Sequence, residues 1–258
     1  MSGKFELEDI EIVHDVNNDS ENVQLENTDN EATDLKQSFD IDDVSTTAPL
    51  PSRKANTTSL IASLFSYIFS PLLVPSYAMM IALNLSYITP VANLKTRIIV
   101  LFASFVITCM MPASIIAYLF KAGKISDIGV NNQKDRLIPY IVTIVCYIVC
   151  AIYLTEVNTP IWIPGFMIGG GLAALTSMLV NIKWKISAHG AGMGGLMALV
   201  FMMWRNGYGL FDYTSVVCAV TLLTGIVCSA RIILGRHTLG QVLVGTLNGL
   251  FWVALMTI

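Results

Sequence analysis

The stretch Ala230-Arg231-Ile232-Ile233-Leu234-Gly235-Arg236-His237-Thr238-Leu239-Gly240-Gln241 lies between two apolar runs, residues 213–230 and 242–258. Each run is long enough to cross a bilayer. Two arginines, a histidine and a glutamine are expensive at such a depth, and ionisable groups placed there mark a functional site by default. The chain has three histidines, of which His14 sits in a polar segment while His189 and His237 sit at the ends of apolar ones. Arg231 and His237 lie on either side of Gly235, a spacing that suits a turn presenting both groups to one ligand.

Composition sets the class. Hydrophobic residues make up 54% of the chain and charged residues 13%, about half the charged share of an ordinary soluble domain. The expectation is all-α: a multispanning transmembrane bundle of six to seven helices over residues 57–258. Residues 1–56 are different. They carry fourteen acids against Lys4, Lys36, Arg53 and Lys54, a net charge of −10, while the remainder carries +7. So acidic and aromatic-poor a segment cannot bury enough apolar surface to offset its ordering entropy, and it reads as a disordered tail. Phe5, Leu7, Ile10, Ile12 and Val13 are its only cluster of apolar residues, either a short docking motif or stray side chains. No amino-terminal signal peptide is read there.

The apolar blocks divide the rest. Residues 60–88 read as a short interfacial helix, a break at Ser70-Pro71, and one crossing. Further crossings follow at 98–120, with a kink at Pro112, and at 137–154, 161–180, 190–204, 213–230 and 242–258. Gly190-xxx-Gly194 and Gly245-xxx-Gly249 are small-xxx-small pairs that let helices approach closely. The run Gly190–Gly195 follows no strand, so it is not read as a dinucleotide loop. The five cysteines all lie in apolar runs without a CxxC pair and read as small core residues, not as a disulfide or metal framework.

Counting crossings brings the polar sites together. If residues 60–88 span once, the loops 121–136, 181–189 and 230–241 share one face. Every histidine of the membrane region is then on that side, with Lys134, Arg136, Lys183, Lys185, Arg231 and Arg236. Arginine forks bind phosphate with paired hydrogen bonds, and two histidines can serve as nucleophile and as general acid. Only Asp127 and Asp135 supply carboxylates there, too few for a divalent-metal cage. Basic groups and histidines without metal ligands fit phosphoryl transfer through a phosphohistidine.

At these residues the chain resembles the type 2 phosphatidic acid phosphatase (PAP2) superfamily, whose signatures are K-x(6)-R-P, P-S-G-H and S-R-x(5)-H-x(3)-D. The third is matched by Arg231, Gly235 and His237, with Ala230 and Gln241 in place of the family serine and aspartate. The second is matched by Ser187 and His189 within Ile186-Ser187-Ala188-His189. The first is loose: Arg136 precedes Pro139 instead of an adjacent proline, Gly129 stands at the lysine position, and Lys134 is the nearest substitute. The resemblance covers roughly residues 121–250. It implies His237 as nucleophile, His189 as the acid that protonates the leaving alkoxide, and Arg136, Arg231, Ser187 and Lys134 as phosphate-binding. Gln241 would orient His237 by accepting a hydrogen bond from the far ring nitrogen, but it stabilises an imidazolium less well than a carboxylate.

The expected function is therefore metal-independent hydrolysis of a lipid phosphate or diphosphate, such as a polyprenyl diphosphate, phosphatidylglycerophosphate or phosphatidate, with no cofactor and no metal. The expected partners are that lipid and the bilayer, not nucleic acid, and the expected location is a bacterial cytoplasmic (inner) membrane. The basic loops point to a cytoplasmic face by the positive-inside rule, whereas the resemblance implies a site facing away from the cytoplasm. Two alternatives stand beside this reading. One is a degenerate relative that binds anionic lipid headgroups without hydrolysis, for which Gln241 speaks. The other is a transporter of a small anion or lipid, which would place more polar groups inside the helices than Asn84 and Asn248.

Overall fold

In the computed structural model, residues 57–126 and 133–258 are described. The acidic tail expected over residues 1–56, its apolar cluster and His14 lie outside the described residues, as do Asp127 and Gly129. The described chain forms α1 (Thr57–Ile68), α2 (Val74–Asn84), the short α3 (Ile88–Val91), α4 (Leu94–Lys121), α5 (Leu137–Glu156), α6 (Trp162–Asn181), α7 (Ala188–Arg205), α8 (Thr214–Ile233) and α9 (Leu239–Met256), with a 3-10 turn at Lys134–Arg136. Among the described residues the only β pairing is an isolated bridge between Ser86 and Gly209. The protein is an all-helical, multispanning membrane bundle.

Five helices, α4, α5, α6, α8 and α9, are long and apolar enough to span. Their outer faces leave large apolar side chains uncovered, such as Phe102, Leu222 and Leu247, as suits helices set in a bilayer. Helix α7, with 18 residues, is as long as α9 but less apolar, because it occupies the centre. Met193, Leu199, Val200 and Met203 on it are fully enclosed. An interior helix needs small residues for close approach more than it needs lipid-facing leucines, so hydropathy understates it.

The first apolar block breaks where the prolines place it, between α1 and α2. Helix α2 has only 11 residues, about 16 Å at 1.5 Å per residue. It nevertheless reaches from the α7 wall to the loops at the far side. Its start lies beside Gly192 in the first turns of α7. Its end meets the far-side loop, where Tyr213 Oη donates to the Leu85 carbonyl at 2.6 Å and Leu210 N donates to the same oxygen at 3.1 Å. Pro112 shows its effect on α4 one turn early: the helix loosens into a π-turn at Val106–Met110, because proline offers no N–H to the carbonyl a turn before it. The two intramembrane asparagines are structural. Asn248 Nδ2 donates to the Ala173 carbonyl and to Ser177 Oγ, tying α9 to α6, and Asn84 Oδ1 accepts from Arg97. All five cysteines are free thiols.

The pair that positions the site is α7 on α9. The two small-xxx-small motifs are the two halves of one interface. A Cβ added at Gly190 would lie 2.8 Å from the Val242 carbonyl oxygen, and one at Gly245 would lie 2.5 Å from that of Ser187. At Gly194 and Gly249 it would collide with the backbone oxygens of Thr246 and Ala191. Both helices run away from the same end, so their N-termini, Ser187 to His189 and Thr238 to Gln241, are held side by side; Ser187 N donates to the Gln241 carbonyl at 3.2 Å.

Gly249→Ala should force these backbones apart and lower stability by about 1–3 kcal/mol, the usual cost of overpacking. Gly225→Ala, where nothing lies within 4 Å of the added methyl, should be neutral or slightly stabilising. Thermal unfolding of the two variants in detergent checks this, and equal melting temperatures would remove the interface from its central place.

Candidate functional site

Arg231 closes α8 and His237 precedes α9, so the five residues between them must reverse the chain. Gly235 does this. Its φ is +65, its N–H donates to the Ile232 carbonyl, and the Arg236 N–H donates back to Arg231. This is the paired pattern of a glycine-terminated helix, favoured because glycine enters the left-handed region without a Cβ clash. The turn aims Arg231 and His237 into one cavity of about 470 Å³. Arg136, His189 and Arg236 line the same cavity, and among the described residues no aspartate or glutamate does.

The other two polar loops arrive at the same end. Arg136 Nη1 donates to the Ile186 carbonyl at 3.0 Å, and Asn181 Nδ2 donates to the Gln133 carbonyl at 3.0 Å. Helices α5, α7 and α9 all begin there, so their partial positive ends face the same space as the arginines.

His237 is held by Gln241. Gln241 Oε1 lies 3.1 Å from His237 Nδ1 and accepts from the Thr238 N–H at 3.2 Å. That N–H is a donor, so the group facing it is the amide oxygen, and the ring nitrogen beside the same oxygen carries the proton. His237 is therefore the Nδ1–H tautomer, with the Nε2 lone pair left for chemistry. Thr238 and Gln241 also form a reciprocal capping box at the start of α9. The T-x-x-Q spacing is the sequence signature of that box, a signal that the reading of Gln241 as a replaced aspartate passes over. One side chain both caps the helix and orients the histidine.

Electrostatics follow from burial among cations. His237 is 7% exposed, and its imidazolium is disfavoured first by lost hydration and then by Arg136, with the Gln241 contact opposing; its pKa falls from 6.5 to about 4. Burial likewise lowers Arg136, with Tyr140 beside it pulling the other way. Lys185 is lowered by burial and then by Arg136, Arg231 and Arg236. The site is a cluster of like charges in a poorly hydrated place, the condition a polyanion relieves.

Ser66, which sequence reasoning does not single out, completes the cluster. Arg231 Nη1 donates to its Oγ at 2.6 Å, and His189 Nε2 donates to its carbonyl at 3.0 Å. One of three serines in α1, it carries no sequence signal of its own; only the packing of α1 on α8 brings it here. Arg231 is 7% exposed, and among the described residues its Nε finds no hydrogen-bond partner. Ser187 is fully buried and does not line the cavity. Its Oγ accepts from Gly190 N at 3.2 Å and caps α7, so it shapes the site by placing His189. Lys134 lies in the 3-10 turn beside Arg136, and its side chain is outside the described set. Among the described residues no three His, Cys, Asp or Glu side chains group as metal ligands.

No family model, curated protein sequence or solved structure matches the chain.

Because its folded pKa is depressed, His237 should remain neutral well below the 6.5 of a free imidazole and gain its proton only as the pH falls towards about 4. The neutral state's contribution to stability is complete above the unfolded value and is lost as the pH falls through the folded one. Gln241→Glu should move the titration upward by placing a carboxylate at Nδ1. Nitrogen-15 NMR of labelled protein checks both; a wild-type midpoint near the free value would mean that the site is hydrated and the cations screened.

Proposed function

We propose that this chain is a PAP2-type membrane phosphatase that hydrolyses a lipid phosphate or diphosphate through a phosphohistidine, without a metal. The observation that carries the reading is the cavity in which Arg136, Arg231, Arg236, His189 and His237 meet, with no acid in its lining among the described residues. Phosphoryl transfer asks for charge stabilisation of the equatorial oxygens, an aligned nucleophile and a proton for the leaving group. Each has a candidate here.

His237 Nε2 attacks phosphorus, and the bond from phosphorus to the lipid oxygen breaks. The phosphate supplies the negative charge beside which His189 carries a second proton, and His189 passes that proton to the departing alkoxide. Water then attacks the phosphohistidine, His189 takes a proton from that water, and inorganic phosphate leaves with His237 regenerated. Arg136 and Arg231 hold the phosphoryl oxygens, displacing the Ser66 hydroxyl from Arg231. Lys134 is a further phosphate ligand in this reading. Gln241 keeps His237 in the reactive tautomer. A bacterial inner membrane as the location belongs to the same proposal.

The amide at Gln241 favours a second reading. It fixes the tautomer but offers no charge to a cationic phosphohistidine, and the loss of a comparable carboxylate in a serine triad is costly in rate. A protein that binds anionic lipid headgroups without turning them over uses the same arginines.

Purified wild type should release phosphate from members of a panel of lipid phosphates and diphosphates in EDTA, and His237→Ala should release none above background. Arg231→Ala should lose about 10²–10³-fold in kcat, the scale seen when a donor to a transition-state oxyanion is removed. Lipid binding by folded wild type with no release from any member would leave the second reading in place.

A further inference from the structure

The cavity is far larger than a phosphate needs, and most of its lining is apolar. Along α5 its wall runs from Arg136, just before the helix, to Tyr147, and along α6 from Ser177 to Phe166. Each stretch spans eleven helical steps on one face, about 16 Å of depth, or about half the hydrocarbon core, close to one leaflet. The upper part is cationic. The lower part is apolar, and its wall includes small residues, Ala174 and Gly170 on α6 and Gly195 on α7.

The lower end is closed by large side chains. The Tyr147 ring lies over Gly170, where an added Cβ would sit 2.9 Å from Tyr147 Cε2. Val253 stands against Gly195, with 3.2 Å between Val253 Cγ2 and a Cβ there. Phe166 lines the same end. The lining thus passes from an anion site at one end to large apolar and aromatic side chains at the other.

We infer that this channel receives one hydrocarbon chain of the substrate, so that the preferred ligand is a single-chain lipid phosphate or diphosphate and not a two-chain one, with Tyr147 at the floor setting the chain length. The inference rests on the phosphate-binding reading of the mouth and narrows its substrate class. Volume supports one chain. A dry cavity of about 150 Å³ holds one benzene, about 25 Å³ per carbon. On that scale the 470 Å³ here takes about nineteen carbon-sized groups, headgroup included. One chain of about twelve to sixteen carbons with its phosphate fills that space, and two such chains exceed it. Charge complementarity fixes the direction: the phosphate stays with Arg136, Arg231 and Arg236, and the chain runs down towards Tyr147.

The experiment uses full-length protein in detergent and a ladder of n-alkyl phosphates, together with lysophosphatidate and phosphatidate bearing the same acyl chain. Phosphate release and ligand-induced stabilisation are read for each. Wild-type kcat/KM should rise along the ladder to an optimum at about twelve to sixteen carbons, and lysophosphatidate should exceed phosphatidate by about tenfold or more, the scale on which an apolar pocket discriminates by fit. Ala174→Leu should move the optimum to shorter chains and Tyr147→Ala to longer ones. Phosphatidate turned over as well as lysophosphatidate, or a length profile unmoved in both variants, would overturn the inference. If no ligand is hydrolysed, the stabilisation profile decides alone. The same optimum and the same shifts would uphold the channel while the hydrolase reading falls, and a flat profile would reject the channel as well.

Discussion

The close packing of α7 on α9 is the constraint on which the rest depends. Within a membrane there is no hydrophobic force between helices, so association rests on van der Waals contact and on hydrogen bonds. Four glycines here let two backbones meet with carbonyl oxygens where side chains would otherwise stand. Two parallel helices held this closely bring their N-termini into register, which puts the His189 turn beside the His237 turn. A looser pair would separate the two histidines and leave the Ser187 amide without its partner at Gln241.

That register creates an electrostatic demand. Three helix N-termini, Arg136 and Arg231 converge where both arginines are 7% exposed, and among the described residues the lining supplies no carboxylate. The cluster is held by hydrogen bonds to backbone and hydroxyl acceptors, the Ile186 carbonyl and Ser66 Oγ. Dipolar acceptors satisfy donors but do not cancel charge, so the net positive potential persists for an anionic ligand. Lost hydration and, after it, the same positive potential depress the His237 pKa, which keeps the imidazole lone pair free. Gln241 fits this setting: a neutral acceptor fixes the tautomer without consuming the positive field.

Depth ties the charged end to the membrane. The cavity runs from the arginines down to Tyr147 and Phe166, so polar and apolar recognition share one continuous space. Small residues on α6 and α7 serve two purposes, close packing towards α9 and open volume towards α5. Gly169 faces the α9 backbone at Val253, while Gly170, next in sequence, lies under the Tyr147 ring.

The class of the protein and the places of its polar turns were legible in the chain alone. Apolar run lengths report on the bilayer thickness, and Pro71, Pro112 and Gly235 act through local backbone geometry, so each marks a break, a distortion or a turn without help from tertiary contacts. The parity of the crossings already put three polar loops at one end. Other features belong only to the folded bundle. Helix α2 is too short to count as a span and α7 is less apolar than the five spanning helices, because both are judged by neighbours and not by lipid. Ser66 reaches Arg231 through the packing of α1, and Ser187 turns inward as a helix cap. The channel exists because small residues from separate helices face one void, and no single stretch of sequence encodes an absence of atoms. Local chemistry determined which residues are costly to place; the three-dimensional packing decided which of them share a cavity and what shape of ligand fits it.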